Sequence, residues 1–259
     1  MAMNHRTLRP LASGFNPKSI SGLQLWLDPS DSATLGPTSS GTGSVSNNGV
    51  VKYLQDKSGN SRHAIQTGAD SVSPTLLTSE RNGKNALSLD GGDFLVGSLG
   101  LTLTSQTVFV VCRFSTGTSS FGRLFTQYRT SQIDTEANLH YIPLIRNGTN
   151  LQICSYQNAV RGAITIVNGD WNIFMSSHSG TEISNRVNNG TAATAGSLPW
   201  SLNLNAGEYS VGGGTLAATS SSNWRDRLAE VLMWDRVLTD TERNAVASYL
   251  GKKYSITVS

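Results

Sequence analysis

The chain has 259 residues, a formal net charge of +3, 14% charged residues and 37% hydrophobic ones. Its 35 Ser, 25 Thr, 20 Asn and 26 Gly form a usage poor in helix formers and rich in turn formers, which excludes a helix-rich fold. The apolar content and small net charge exclude a disordered chain, and no apolar run reaches the ~18 residues of a membrane span.

Residues 1–20 carry His5, Arg6, Arg9 and Lys18 without a carboxylate, and Pro10, Gly14 and Pro17 interrupt regular structure. They are predicted to form an extended N-terminal arm ahead of one domain over 21–259. Arg6, Arg9, Phe15 and Lys18 are the residues expected to anchor that arm to a partner. The opening MAMNHRTLRP lacks the apolar stretch of a secretory signal, so export is not expected.

From Leu23 the pattern is one of short strands. Leu23, Leu25 and Leu27 alternate with Gln24 and Trp26, the period of a half-buried strand. Further strands are expected at 52–55, 63–66, 86–89 and 94–96. Thr107 to Phe114 is apolar on both faces and should be central. Strands at 123–127, 141–145, 151–156, 163–167, 171–176, 182–187, 208–211 and 228–234 follow, with 254–258 expected as the last. Asn147-Gly148, Asn168-Gly169 and Asn189-Gly190 supply tight turns, and 37–49 and 212–222 read as long surface loops.

Thr239-Asp-Thr-Glu242 is a capping box, followed by Val246, Tyr249 and Leu250 on one helical face and by Gly251 as the expected stop. A short C-terminal helix is therefore predicted, closing one end of the molecule as a lid. So many strands without βαβ alternation predict an all-β, antiparallel two-sheet sandwich. Cys112 and Cys154 read as separate buried thiols. Basic residues are scattered and do not interleave with aromatics, so neither nucleic acid nor membrane is an expected partner.

Three segments resemble the laminin-G-like, concanavalin-A-like jelly-roll family. They are Gly22-Leu-Gln-Leu-Trp-Leu-Asp-Pro-Ser-Asp31 with Leu54-Gln-Asp-Lys-Ser-Gly-Asn60, then Asn85-Ala-Leu-Ser-Leu-Asp-Gly-Gly-Asp-Phe-Leu95, and finally Leu228-Ala-Glu-Val-Leu-Met-Trp-Asp-Arg-Val-Leu-Thr-Asp-Thr-Glu242. The resemblance covers about residues 20–256 and implies a jelly-roll sandwich with one C-terminal helix. The lead into Gly22 is similar in style to modules of bacteriophage and large-virus structural proteins. On that likeness the expected function is a non-enzymatic structural protein of the virion, in capsid decoration or the tail, partnered by other virion proteins and contacting host-surface carbohydrate. The alternatives are a free or secreted carbohydrate-binding or adhesion module and, third, a glycosidase.

No catalytic residues are expected. The Glu-x-Asp-x-x-Glu pattern of glycosidases on the related fold is absent, and the pairs Asp134 with Glu136 and Glu230 with Asp235 have other spacings. Oxygen-rich loops suited to Ca²⁺ occur at Asp28 with Asp31, at Asp56 to Asn60 and at Asp90 with Asp93, the last pair foremost as metal candidates. Asp and Gly also build turns by capping their own amides, so both readings stand; no other cofactor is implied. Trp200 and Trp224, in loop-like surroundings, are the candidate sugar-stacking platforms, whereas Trp26, Trp171 and Trp234 fall within strands.

Overall fold

A computed structural model describes residues 14–114, 121–129, 139–147, 151–156, 160–195, 204–213 and 224–259. The chain begins with β1 (Leu23–Leu27), β2 (Leu35–Gly36), β3 (Tyr53–Leu54) and β4 (Ala64–Ile65). A hairpin of β5 (Thr75–Arg81) and β6 (Lys84–Asp90) follows, then the long β7 (Leu95–Leu103) and β8 (Gln106–Phe114). The middle comprises β9 (Phe121–Arg123), β10 (Phe125–Arg129), β11 (Leu139–Asn147), β12 (Leu151–Tyr156) and β13 (Val160–Thr165). The last third holds β14 (Trp171–His178), β15 (Ile183–Val187), β16 (Ala193–Ala195), β17 (Leu204–Val211), β18 (Arg225–Trp234) and the helix α1 (Asp240–Tyr254).

These strands make two antiparallel sheets. The first runs β16-β15-β14-β8-β18-β6-β5, with β1 added along β18; the second runs β13-β12-β11-β10-β17-β7-β4-β3-β2, with β9 on β11. Leu25, Val108, Val110, Leu228 and Val231 of the first sheet pack against Leu54, Leu95, Phe125, Tyr209 and Val211 of the second to form the main core. β8 is central, between β14 and β18, as its two-faced apolar run requires. A reciprocal amide pair crosses this core: Gln106 Nε2 donates to Gln127 Oε1 at 3.0 Å and Gln127 Nε2 to Gln106 Oε1 at 2.9 Å. Cys112 is a free thiol inside the same core; the side chain of Cys154 lies outside the described residues.

A second apolar layer lies on the opposite face of the first sheet. Phe109, Val111, Ile173, Leu232 and Trp234 alternate with the core-facing residues of their strands and meet Val246, Ala247, Leu250 and Tyr254 of α1. The helix therefore lies across an outer sheet face and is not a lid on one end. Its capping box is present, with Thr239 Oγ1 accepting from Glu242 N and Glu242 Oε2 accepting from Thr239 N.

Three expectations are corrected. The strand expected at 254–258 does not form, because α1 continues to Tyr254 and ends at Ser255, whose φ of 52° is left-handed. Gly251 is not the stop; it sits inside α1 where an added Cβ would come within 2.8 Å of the Ile256 carbonyl oxygen, so it admits the returning tail. β5 was not expected; Ser79, at a positive φ, interrupts it, and Asn82, also at positive φ, sits in the turn to β6. Of the predicted arm, the described part docks on the domain: Asn16 caps a 3-10 turn at Pro17–Ser19, and Pro17 and Ile20 are buried.

Candidate functional site

The pocket that stands out among the described residues opens between β1, the turn at 28–31 and α1, with a volume of about 1000 Å³. Phe15, Trp26, Asp28, Asp31, Lys57 and Tyr249 line it, with Lys84, Lys252 and Lys253. β1 delivers Trp26, and Asp28 follows directly after its end, Leu25 and Leu27 facing the core instead. α1 delivers Tyr249 and Lys253, one turn apart on one face. Phe15 leans on Tyr249 with ring centroids 5.6 Å apart.

A buried ionic network sits beneath the pocket. Lys253 Nζ is 2.8 Å from Asp28 Oδ1 and 2.7 Å from Glu230 Oε2. Glu230 also accepts from Trp26 Nε1 at 2.7 Å, Tyr254 Oη at 2.8 Å and Tyr249 Oη at 3.2 Å. Lys57 Nζ bridges Asp28 and Asp31 at 2.9 Å each and lies 4.5 Å above the Trp26 ring. A bulge in β18 between Leu228 and Glu230 turns the Glu230 side chain toward α1. Without that extra residue, Leu228 and Glu230 would share a face.

The two carboxyls are driven apart in proton affinity. Burial raises Glu230, and the charge of Asp28 adds to this against Lys253. Burial also opposes ionisation of Asp28, but Lys253, Ser30 and Lys57 outweigh it and hold that carboxyl below its ordinary range. Tyr249 and Tyr254 are pushed up, by burial first and then by Glu230, so both remain hydroxyl donors.

The residues singled out by sequence fall elsewhere. Trp224 is fully buried, edge-on to Phe114 at 5.3 Å between ring centroids, and so is a core residue and not a surface platform. Trp200, Arg6, Arg9, Asp134 and Glu136 lie outside the described residues. Lys18 is exposed on its 3-10 turn, and of the two described anchors Phe15 reaches the pocket. Asp235 follows β18 and accepts from Gln24 Nε2 at 2.7 Å.

In the loops considered for Ca²⁺, carboxylate oxygens serve the fold. Asp93 Oδ2 accepts from Asp90 N and Asp90 Oδ1 from Gly92 N, which is turn chemistry. Asp56 accepts from Trp26 N, Ser58 N, Ser58 Oγ and Arg62 N. Asp28 and Asp31 hold Lys57. Among the described residues no group of three or more His, Cys, Asp and Glu is placed to hold a metal ion, and no helix is long and apolar enough to cross a membrane.

Lys253→Met should destabilise the protein by about 3 kcal/mol in urea denaturation, because it leaves two buried carboxyls without their shared cation. Asp93 gives a pH test. Burial, with repulsion from Asp90, raises its carboxyl from 3.8 to about 7 despite the bond from the Asp90 amide. The folded state thus holds the proton more tightly than the unfolded one, and the stability this supplies is whole below pH 3.8 and lost as pH rises to about 7. Asp93→Asn should remove that loss, so in thermal melts the variant gains on the parent across this window.

No protein-family model matches the chain, and no curated protein matches it. Solved structures do. A GH54 α-L-arabinofuranosidase mutant soaked with 4-nitrophenyl α-L-arabinofuranoside is 13% identical, with a TM-score of 0.67 over 90% of this chain and 63% of that one. Domain 4 of AbnA, a GH43 extracellular arabinanase from Geobacillus stearothermophilus, in complex with arabinotriose, is 12% identical, with a TM-score of 0.57 over 87% and 98%. Trypanosoma rangeli sialidase in complex with the inhibitor DANA is 12% identical, with a TM-score of 0.53 over 88% and 33%. The chain therefore spans less than two thirds of the arabinofuranosidase and about a third of the sialidase. At this identity the likeness establishes the fold. It also overturns the expectation of a non-enzymatic virion protein, since these similar structures come from glycosidases and none of them from a virus particle.

Proposed function

We propose that this chain is a concanavalin-A-like jelly roll, laminin-G-like in style, acting as a carbohydrate-active domain that holds a short glycan between β1 and α1. The composition of the pocket carries this reading. Phe15 and Tyr249 offer ring faces to the C–H surfaces of a sugar. Asp31, half-exposed at the edge of the pocket, offers an acceptor for its hydroxyls. An apolar wall with a few fixed polar groups is how a small-molecule site combines affinity with orientation, and the volume is ample for an oligosaccharide. The likeness to an arabinanase domain solved with arabinotriose supports a pentose oligosaccharide as the first ligand to try. Titration calorimetry of the intact chain with arabinotriose and neutral hexose trisaccharides tests the reading. Phe15→Ala and Tyr249→Ala should each weaken binding about tenfold, the loss of one stacking face; affinity unchanged in both variants would exclude this pocket.

Hydrolysis at the same place is the second reading, favoured by one observation. Asp28 and Glu230 share Lys253 Nζ at 2.8 and 2.7 Å, which keeps their nearest oxygens within about 5.5 Å and is compatible with the closely set carboxyls of a retaining glycosidase. Their opposed proton affinities suit an acid and a nucleophile. Glu230 has no exposed side-chain surface, so Tyr249 and Lys253 would have to move off it. Release of 4-nitrophenol from 4-nitrophenyl α-L-arabinofuranoside by the intact chain would support hydrolysis, and silence alongside measurable glycan binding would retire it.

A further inference from the structure

Four lysines line the pocket, Lys57, Lys84, Lys252 and Lys253, against two carboxylates, Asp28 and Asp31. The acids are already matched: Lys57 bridges Asp28 and Asp31, and Lys253 bridges Asp28 and the buried Glu230. Lys84 and Lys252 are exposed and make no ion pair among the described residues. Nor is Lys252 drawn into capping its own helix. Arg81 donates to the carbonyls of Tyr254 and Ser255, and Asn82 donates to that of Lys253. These bonds clamp the β5–β6 turn onto the last turn of α1 and bring Lys84, the first residue of β6, to the same rim as Lys252. The pocket thus has a floor whose carboxyls are held by Lys57 and Lys253, and a rim with two ammonium groups that make no ion pair among the described residues.

We infer that the glycan this pocket selects is an acidic one, with an anionic group on the sugar ring received between Lys84 and Lys252; this rests on the glycan-binding reading above. The floor would hold the ring by stacking, with Asp31 at its edge accepting from a hydroxyl. The rim would supply the preference for charge. Attraction between an ammonium and an anion at a half-open rim is moderate and is screened by salt, which makes it recognisable.

The test compares three ligands of one shape, galactotriose, trigalacturonic acid and a sulfated galactotriose, with arabinotriose as the neutral reference and inorganic phosphate as the sugar-free anion. Calorimetry is run on the intact chain at about 20 mM and about 300 mM NaCl, on either side of the screening range. The expected result is an acidic trisaccharide bound on the order of tenfold more tightly than galactotriose at low salt. That advantage should shrink at high salt, and in the double variant Lys84→Met with Lys252→Met the ratio should fall to about one. Whichever acidic ligand leads identifies the group as carboxylate or sulfate. Equal affinity for neutral and acidic trisaccharides, or an advantage that survives in the double variant, overturns the acidic class and leaves glycan binding standing. Phosphate binding as tightly as the acidic sugars also overturns it, and failure of every saccharide to bind overturns both readings.

Discussion

The Lys253 ammonium stands between two carboxylates supplied by different strands, and the attachment of α1 follows from that placement. Asp28 ends the β1 segment, Glu230 projects from β18 and Lys253 comes from the last turn of α1. Burying two carboxyls against one shared cation would be costly alone, but Trp26, Tyr249 and Tyr254 donate to Glu230, and Lys57 takes a second oxygen of Asp28. The apolar stripe of Val246, Ala247, Leu250 and Tyr254 would bind the sheet in more than one register. The ionic network is satisfied in only one of them.

The same network determines where a ligand can sit. It ties α1 to Asp28 at the start of the turn at 28–31, beneath the space that Phe15 and Tyr249 line. The candidate site therefore lies on the outer face of the first sheet and draws nothing from the main core. A fold shared with arabinofuranosidases and sialidases does not by itself carry their chemistry. What this chain adds is its own arrangement of aromatic rings, paired acids and rim lysines.

Much of the architecture was legible from local pattern. β1 and β12 match their expected bounds, β8 is central, and the capping box opens α1 as its four residues imply. Local pattern failed where a distant contact decides. Tyr254 to Val258 reads as a strand, yet the helix runs on because Tyr254 is drawn in to bond Glu230 and the Ala229 carbonyl. Trp224 has loop-like neighbours but is buried against Phe114. The candidate site was largely hidden. Asp28 and Asp31 were noticed as oxygens and Phe15 as an anchor, whereas Lys253 and Tyr249 acquire meaning only when α1 is laid over Glu230. A signal was present in the helix, where Tyr249, Lys253 and Tyr254 put three polar groups on a face that otherwise reads as apolar.

The amide pair between Gln106 and Gln127 bears on how the molecule can move. Each side chain is both donor and acceptor to the other, and the two belong to opposite sheets. Sliding one sheet past the other by a single residue would strand both amides in an apolar interior, at a penalty of a few kcal/mol for each (roughly 1–3). The pair thus opposes shear between the layers of the plate on which α1 lies. Any gating of the pocket must then come from the pieces laid on that plate, the helix and the short segment around Phe15.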